Sequence, residues 1–276
     1  TMIIRKNTQY KSRLKLSSWR KIAFGTWNTV GDPSAYALVD VEVEKALDFM
    51  KHQSHLSGQK ITMSHFFGAA IGRVFEKHPQ VNVVIRLGGI YQRESVDIFF
   101  QAATDMSGED LSGLTIRNIN KKSIVEIAKE MNERFSRIKN KTDRSFTQMK
   151  GTIALFPTFM VKWVLNAVSF LSYTLNLWSP LLGAPRDTFG SCMVTNIGAL
   201  GLETAFAPLV PYSRCPILFA LGNVSEKPVV KNGQIVIAKI CRLTVTFDHR
   251  IIDGVDGANM LKSLQEILHK TEKHLT

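Results

Sequence analysis

Apolar and polar positions alternate along residues 36–43, which predicts a strand with one buried face. A helix is expected next, carrying Ala46, Leu47, Phe49 and Met50. A second helix, capped by Thr62 or Ser64, has Phe66, Phe67, Ala70, Ile71, Val74 and Phe75 at helical spacing and is stopped by Pro79. Residues 81–87, 96–103 and 114–117 are β-rich and separated by glycine turns at Gly88-Gly89 and Gly108. Ser123 opens an amphipathic helix through Ile124, Ile127, Ala128, Met131, Phe135 and Ile138. Further strands are predicted at 192–195, 216–221, 234–240 and 242–247. Asp256 then opens a final helix buried through Leu261, Leu264 and Leu268. Upstream, Ser17-Ser18 caps a short predicted helix over 19–24.

Strands and helices intermix without an internal repeat or a long polar linker. This predicts a single α+β domain over residues 1–276. One segment departs from the pattern. No charged residue occurs between Lys162 and Arg186, and the apolar insertion extends over about 150–188. Its polar residues, including Asn166, Ser172 and Asn176, together with Pro180, make it a poor membrane span. A pair of helices is expected instead, either packed at an interface, lining an apolar tunnel or lying on a membrane surface.

Hydrophobic residues make up 45% of the chain and charged residues 21%, so a sizeable core is expected. Cys192, Cys215 and Cys241 are too few and too dispersed for a disulfide framework or a metal site, and they read as buried thiols. Residues 1–20 lack the apolar run of a signal peptide, so the expected compartment is the cytoplasm, with peripheral attachment to a membrane as a variant. The formal charge is +12, much of it in two runs: Arg5, Lys6, Lys11, Arg13, Lys15, Arg20 and Lys21, then Arg134, Arg137, Lys139, Lys141, Arg144 and Lys150. No zinc-finger spacing, RNA-recognition motif or helix-turn-helix pattern supports nucleic acid as partner. An anionic membrane surface, a phosphorylated small molecule and a solvated basic face stay open.

The sharpest chemistry lies at Asp248-His249-Arg250-Ile251-Ile252-Asp253-Gly254. The preceding Leu-Thr-Val-Thr-Phe strand delivers His249 at its end, where an imidazole with a pKa of ~6.5 accepts and returns a proton near neutrality. Taken alone, the pattern is also that of a structural histidine in a turn.

These residues, with Val255-Asp256-Gly257-Ala258 behind them, resemble the active-site signature of the dihydrolipoamide acyltransferases of 2-oxoacid dehydrogenase complexes. The pattern His-x-x-x-Asp-Gly is shared with chloramphenicol acetyltransferases. The likeness continues through His78-Pro79-Gln80-Val81-Asn82, residues 114–128 and residues 191–200, and spans roughly 15–270.

The resemblance implies a chloramphenicol acetyltransferase-like mixed sheet with flanking helices, and a trimer-forming acyltransferase that uses coenzyme A, as acyl-CoA co-substrate, and no metal. His249 would be the general base, and the hydroxyl of Thr195, in Val194-Thr195-Asn196-Ile197-Gly198, would donate to the oxyanion. Asp253 would pair with an arginine near the N-terminus, Arg20 or alternatively Lys21, and Arg250, Gly254 and Asn196 would support the site. The active site would lie between subunits of a homotrimer or a multiple of it, with coenzyme A and acceptor entering from opposite ends. No stretch resembles the family's lipoyl or subunit-binding domains, and residues 104–110 depart from its pattern, which leaves the acceptor open. Residues 153–183 are expected to shape a channel for a long acyl chain or lipid-like acceptor. Two competing readings are a noncatalytic oligomeric or membrane-associated scaffold on the same fold, and an antibiotic-acetylating enzyme.

Overall fold

The computed structural model describes residues 5–13, 15, 33–103, 111–140, 157–179 and 185–276. The predicted helix over 19–24, with Arg20 and Lys21, lies outside these residues, as do 104–110, Lys141, Arg144 and Lys150.

In chain order the strands are β1 (Arg5–Lys6), β2 (Tyr10–Arg13), β3 (Ser34–Glu42), β4 (Val83–Arg86), β5 (Gly89–Arg93), β6 (Ile98–Ala103), β7 (Leu111–Ile116), β8 (Leu177–Trp178), β9 (Cys192–Asn196), β10 (Ile217–Lys231) and β11 (Gln234–Asp248). The helices are α1 (Glu44–Ser57), α2 (Met63–Lys77), α3 (Ile124–Lys139), α4 (Thr158–Ser169), α5 (Gly254–His269) and α6 (Thr271–Leu275). Six strands form a mixed sheet in the order β3-β11-β10-β9-β6-β7, in which β9 runs parallel to both neighbours. A smaller sheet, β2-β5-β4, and the pair β1-β8 stand apart from it. This is the α+β class that the alternation predicts, with the mixed sheet that the resemblance implies.

The two faces of the sheet are covered differently, and strand alternation sorts the side chains between them. Ile217, Phe219 and Leu221 of β10 join a core with α2, α3 and α5, built around Phe66, Phe67, Phe75 and Ile127. Leu218 and Ala220 point the other way, into a smaller cluster with Phe99, Met193, Ile197 and Cys215. That second face is roofed by loop residues including Ala205, Ala207 and Leu209. All three cysteines are buried and unbridged.

Capping explains where the core helices begin. At α3, the Ser123 hydroxyl accepts from the Glu126 N–H, and the Glu126 carboxylate accepts from the Ser123 N–H at 2.8 Å. At α2, Thr62 is the cap, and Nδ1 of His65 accepts from the Thr62 N–H at 3.1 Å.

The structure revises several predicted elements. The strands expected at 234–240 and 242–247 are one, β11, which runs unbroken through Cys241 and the following Arg242. Its guanidinium lies on the sheet surface and holds both carboxylate oxygens of Asp40 on β3, at 2.6 and 2.7 Å. The strand expected at 216–221 runs on to Lys231 and returns through Asn232-Gly233, both with positive φ, a strand-matched hairpin turn. Strand β5, not predicted, follows a similar turn at Leu87-Gly88.

Of the insertion, residues 157–179 and 185–188 are described, and they contain one α-helix; 150–156 and 180–184 lie outside the described residues. Helix α4 runs on into a π-helical turn (Phe170–Thr174) and ends in the short strand β8. Asn176, at φ 56°, stops the helical path. Its side chain accepts from the Thr8 N–H at 2.7 Å and donates to the Thr8 carbonyl at 2.8 Å, tying the insertion to the N-terminal segment. Among the described residues no helix is long and apolar enough to cross a membrane.

Candidate active site

Strand β11 delivers His249 at its C-terminal end, on a turn held from three directions. The His249 N–H donates to the Pro33 carbonyl at 2.9 Å, and the Asp248 N–H donates to that of Pro216 at 2.9 Å. Asp248 then clamps the turn. Its carboxylate accepts from the Arg250 backbone N–H at 2.9 Å and from Nε and Nη2 of Arg250 at 3.0 and 2.7 Å. Such a two-pronged guanidinium–carboxylate contact fixes orientation as well as supplying energy. The His249 ring is half-buried, 6.2 Å from the Phe247 ring and tilted 32° to it.

Asp253 is the N-cap of α5. Its carboxylate accepts from the backbone N–H groups of Val255 and Asp256, each at 3.0 Å. The expected partners Arg20 and Lys21 lie outside the described residues. Gly254 is exposed, and a Cβ built on it meets nothing within 4 Å among the described residues, so the chain itself does not demand glycine there.

A cavity opens on each side of this turn. On the helix side, Phe247, Ile252, Asp253 and Gly254 border an apolar cavity of about 300 Å³ beneath α5. On the loop side, Asp248, Arg250 and Ile251 border a cleft of about 1020 Å³, whose far wall includes Trp163, Asn166 and Phe170 of the insertion.

Thr195 lies at the end of β9, and Asn196 after it is a brace. The Asn196 side chain donates to the Ser64 hydroxyl at 3.2 Å and accepts from the Ala199 N–H at 3.1 Å. The turn that follows needs Gly198, because a Cβ there would sit 2.6 Å from the Gly222 carbonyl and the Asn223 nitrogen.

The imidazole and the hydroxyl do not meet within one chain. Thr195 is level with Ala220, and Ala220 with Thr244, five residues before His249. At ~3.3 Å per residue and ~4.8 Å between strands, the separation is roughly 19 Å. The cause is strand direction. Strand β9 runs parallel to β10 and β11 antiparallel to it, so their C-terminal ends emerge at opposite edges of the sheet.

Arg214, also in the loop-side cleft, escaped the sequence reading. Its only signal was to be the one charged residue between Glu203 and Glu226. Burial, and then the neighbouring positive charge of Arg250, hold its pKa below the usual arginine value.

Comparison with known proteins places the chain in a family. The family model for the 2-oxoacid dehydrogenases acyltransferase catalytic domain matches residues 10–156 and 185–276. The unmatched stretch between them falls on the apolar insertion. The chain is 24% identical over 245 residues to the dihydrolipoyllysine-residue acetyltransferase component of the pyruvate dehydrogenase complex of Staphylococcus epidermidis, covering 87% of this chain and 46% of that protein. It thus spans about half the length of the curated relatives it matches. By structure it is similar to the cubic core of the pyruvate dehydrogenase multienzyme complex, with a TM-score of 0.67 at 18% identity, over 97% of this chain and 96% of the other. It is also similar to a chloramphenicol acetyltransferase, at 0.51 and 12%, over 93% and 100%. The structural likenesses establish the fold and the sequence model the lineage: the chain belongs to the family of 2-oxoacid dehydrogenase acyltransferase catalytic domains.

Proposed function

We propose that this chain is one catalytic domain that moves an acyl group between coenzyme A and an acceptor by direct transfer. His249 takes the proton from the acceptor thiol, hydroxyl or amine as that atom attacks the thioester carbonyl. The Thr195 hydroxyl donates to the resulting oxyanion. The C–S bond then breaks, and His249 returns its proton to the departing coenzyme A thiolate. The observation that carries this reading is a half-buried imidazole on a clamped turn whose neighbouring residues, though not His249 itself, border a cavity on either side.

Because His249 and Thr195 stand at opposite edges of one sheet, the reading requires them to come from different copies. A closed ring of three supplies such junctions, and the relative solved as a cubic core is itself an assembly. The names of the relatives favour a dihydrolipoyl thiol as acceptor. The insertion residues along the cleft favour a substrate with an apolar part.

The test offers the purified protein a series of acyl-CoA donors and dihydrolipoamide, with products read by mass spectrometry. Wild type should transfer. His249→Ala should lower turnover about 10²- to 10⁴-fold with the melting temperature unchanged. Equal turnover by both proteins would remove His249 as the base, and no product from wild type would leave a scaffold built on the fold.

A further inference from the structure

The loop-side cleft has a charge pattern that general base chemistry does not use. Its charged lining residues are Arg214, Arg250 and Asp248, which leaves one net positive charge. Asp248 matches Arg250 through both carboxylate oxygens. Arg214 has no carboxylate partner among the described residues; its Nε donates to the Ser169 hydroxyl at 3.3 Å. It is also held in place. Arg214 sits at φ 54° after the turn at Pro211–Ser213, where the Ser213 hydroxyl donates to the Val210 carbonyl at 2.6 Å and accepts from the Cys215 N–H at 3.1 Å. A guanidinium exposed in a cleft beside a second one is relieved by an anion.

The rest of the cleft is mostly apolar, and part of it is peculiar to this chain. Trp163, Ala167 and Phe170 come from α4 and its π-helical end, in the stretch the family model leaves unmatched. Leu209, Val210 and Ile251 face them. Helix α4 packs on the turn that carries Arg214, so one wall supplies the charge and the other the grease. Trp163, 74% exposed, stands where an apolar chain would cover it.

We infer that this cleft binds an anionic amphiphile, its single carboxylate or phosphate head on Arg214 and its apolar chain along Trp163 and Phe170. The inference deepens the acyltransferase reading, and rests on it, in making this molecule the partner substrate that reaches the His249 turn. Binding itself is measured without turnover, so the two ideas fail separately.

The experiment is calorimetric titration of the full chain with decanoate, decyl phosphate, decanol and decyltrimethylammonium, each below the concentration at which it forms micelles. One or both anions should bind about tenfold tighter than the alcohol and the cation. Which anion binds tighter names the head group. Arg214→Met should erase the preference, Arg214→Lys should restore it, and Trp163→Ser should weaken all ligands alike. His249→Ala should bind as wild type does, whatever its turnover. Equal binding of anion, alcohol and cation, or a preference that survives in a folded Arg214→Met protein, would overturn the inference.

Discussion

Arg93 and Asp187 meet at 2.5 Å with side chains 2% and 7% exposed, which joins β5 to the residue at which the chain returns from the insertion. The Asp187 N–H donates to the Asn7 side chain at 2.9 Å, so the same point also holds the N-terminal segment. Burial opposes a charge on Arg93, and the Asp187 carboxylate overrides it, driving the arginine pKa upward. Removing one partner of such a pair leaves the other charge buried and unmatched.

Asp187→Asn should therefore cost about 3–5 kcal/mol by denaturant unfolding. Asparagine is the right probe, because position 187 has φ 43°, a conformation asparagine tolerates. Adding Arg93→Met should recover most of the loss. A single variant as stable as wild type would show that the pair does not anchor the insertion.

Periodicity made the sheet and core helices legible because each is amphipathic and locally capped. Turn chemistry was legible too, though unread: Asn232-Gly233 marks the hairpin that makes β10 and β11 long. The unity of β11 was not, since the partner that tolerates Arg242 is Asp40, 202 residues away in sequence. The motif located His249 and Thr195, but only the parallel and antiparallel pairings of β9 and β11 reveal that one chain keeps them apart. Arg214 gave no motif at all; its meaning comes from the insertion folding over it.

Asp253 separates capping from chemistry. Asp253→Ala should lower stability by about 1 kcal/mol, while Asp253→Asn should cost only a few tenths, since asparagine caps a helix about as well. Thermal unfolding of both variants measures this. If Asn is as costly as Ala, the carboxylate's charge matters beyond the two N–H groups it accepts from.

His65 makes stability depend on pH. Burial lowers its pKa to about 4, and its ring nitrogen must stay unprotonated to accept from the Thr62 N–H. Above the unfolded value of ~6.5 neither state binds the proton and the stability is intact. As pH falls from there toward about 4, the unfolded chain gains a proton that the folded one refuses, so stability drops, in total by about 3 kcal/mol. His65→Gln keeps an acceptor at the third position of the capping box and should flatten this part of the curve. Parallel curves for variant and wild type would locate the acid sensitivity elsewhere.

The distance between His249 and Thr195 within one chain gives the proposed mechanism its most exposed consequence. His249→Ala and Thr195→Ala should each lose acyl transfer, the second by about 10²- to 10³-fold if its hydroxyl serves the oxyanion. Co-expressed in equal amounts, the two variants should partly restore it. A junction works when the chain lending His249 carries Thr195→Ala and its neighbour carries His249→Ala, which random assembly achieves at about one junction in four. Activity near a quarter of wild type is thus expected from the mixture and almost none from either variant alone. No recovery in mixed assemblies, with both variants shown by mass spectrometry to share one particle, would mean that the two side chains do not serve a common site.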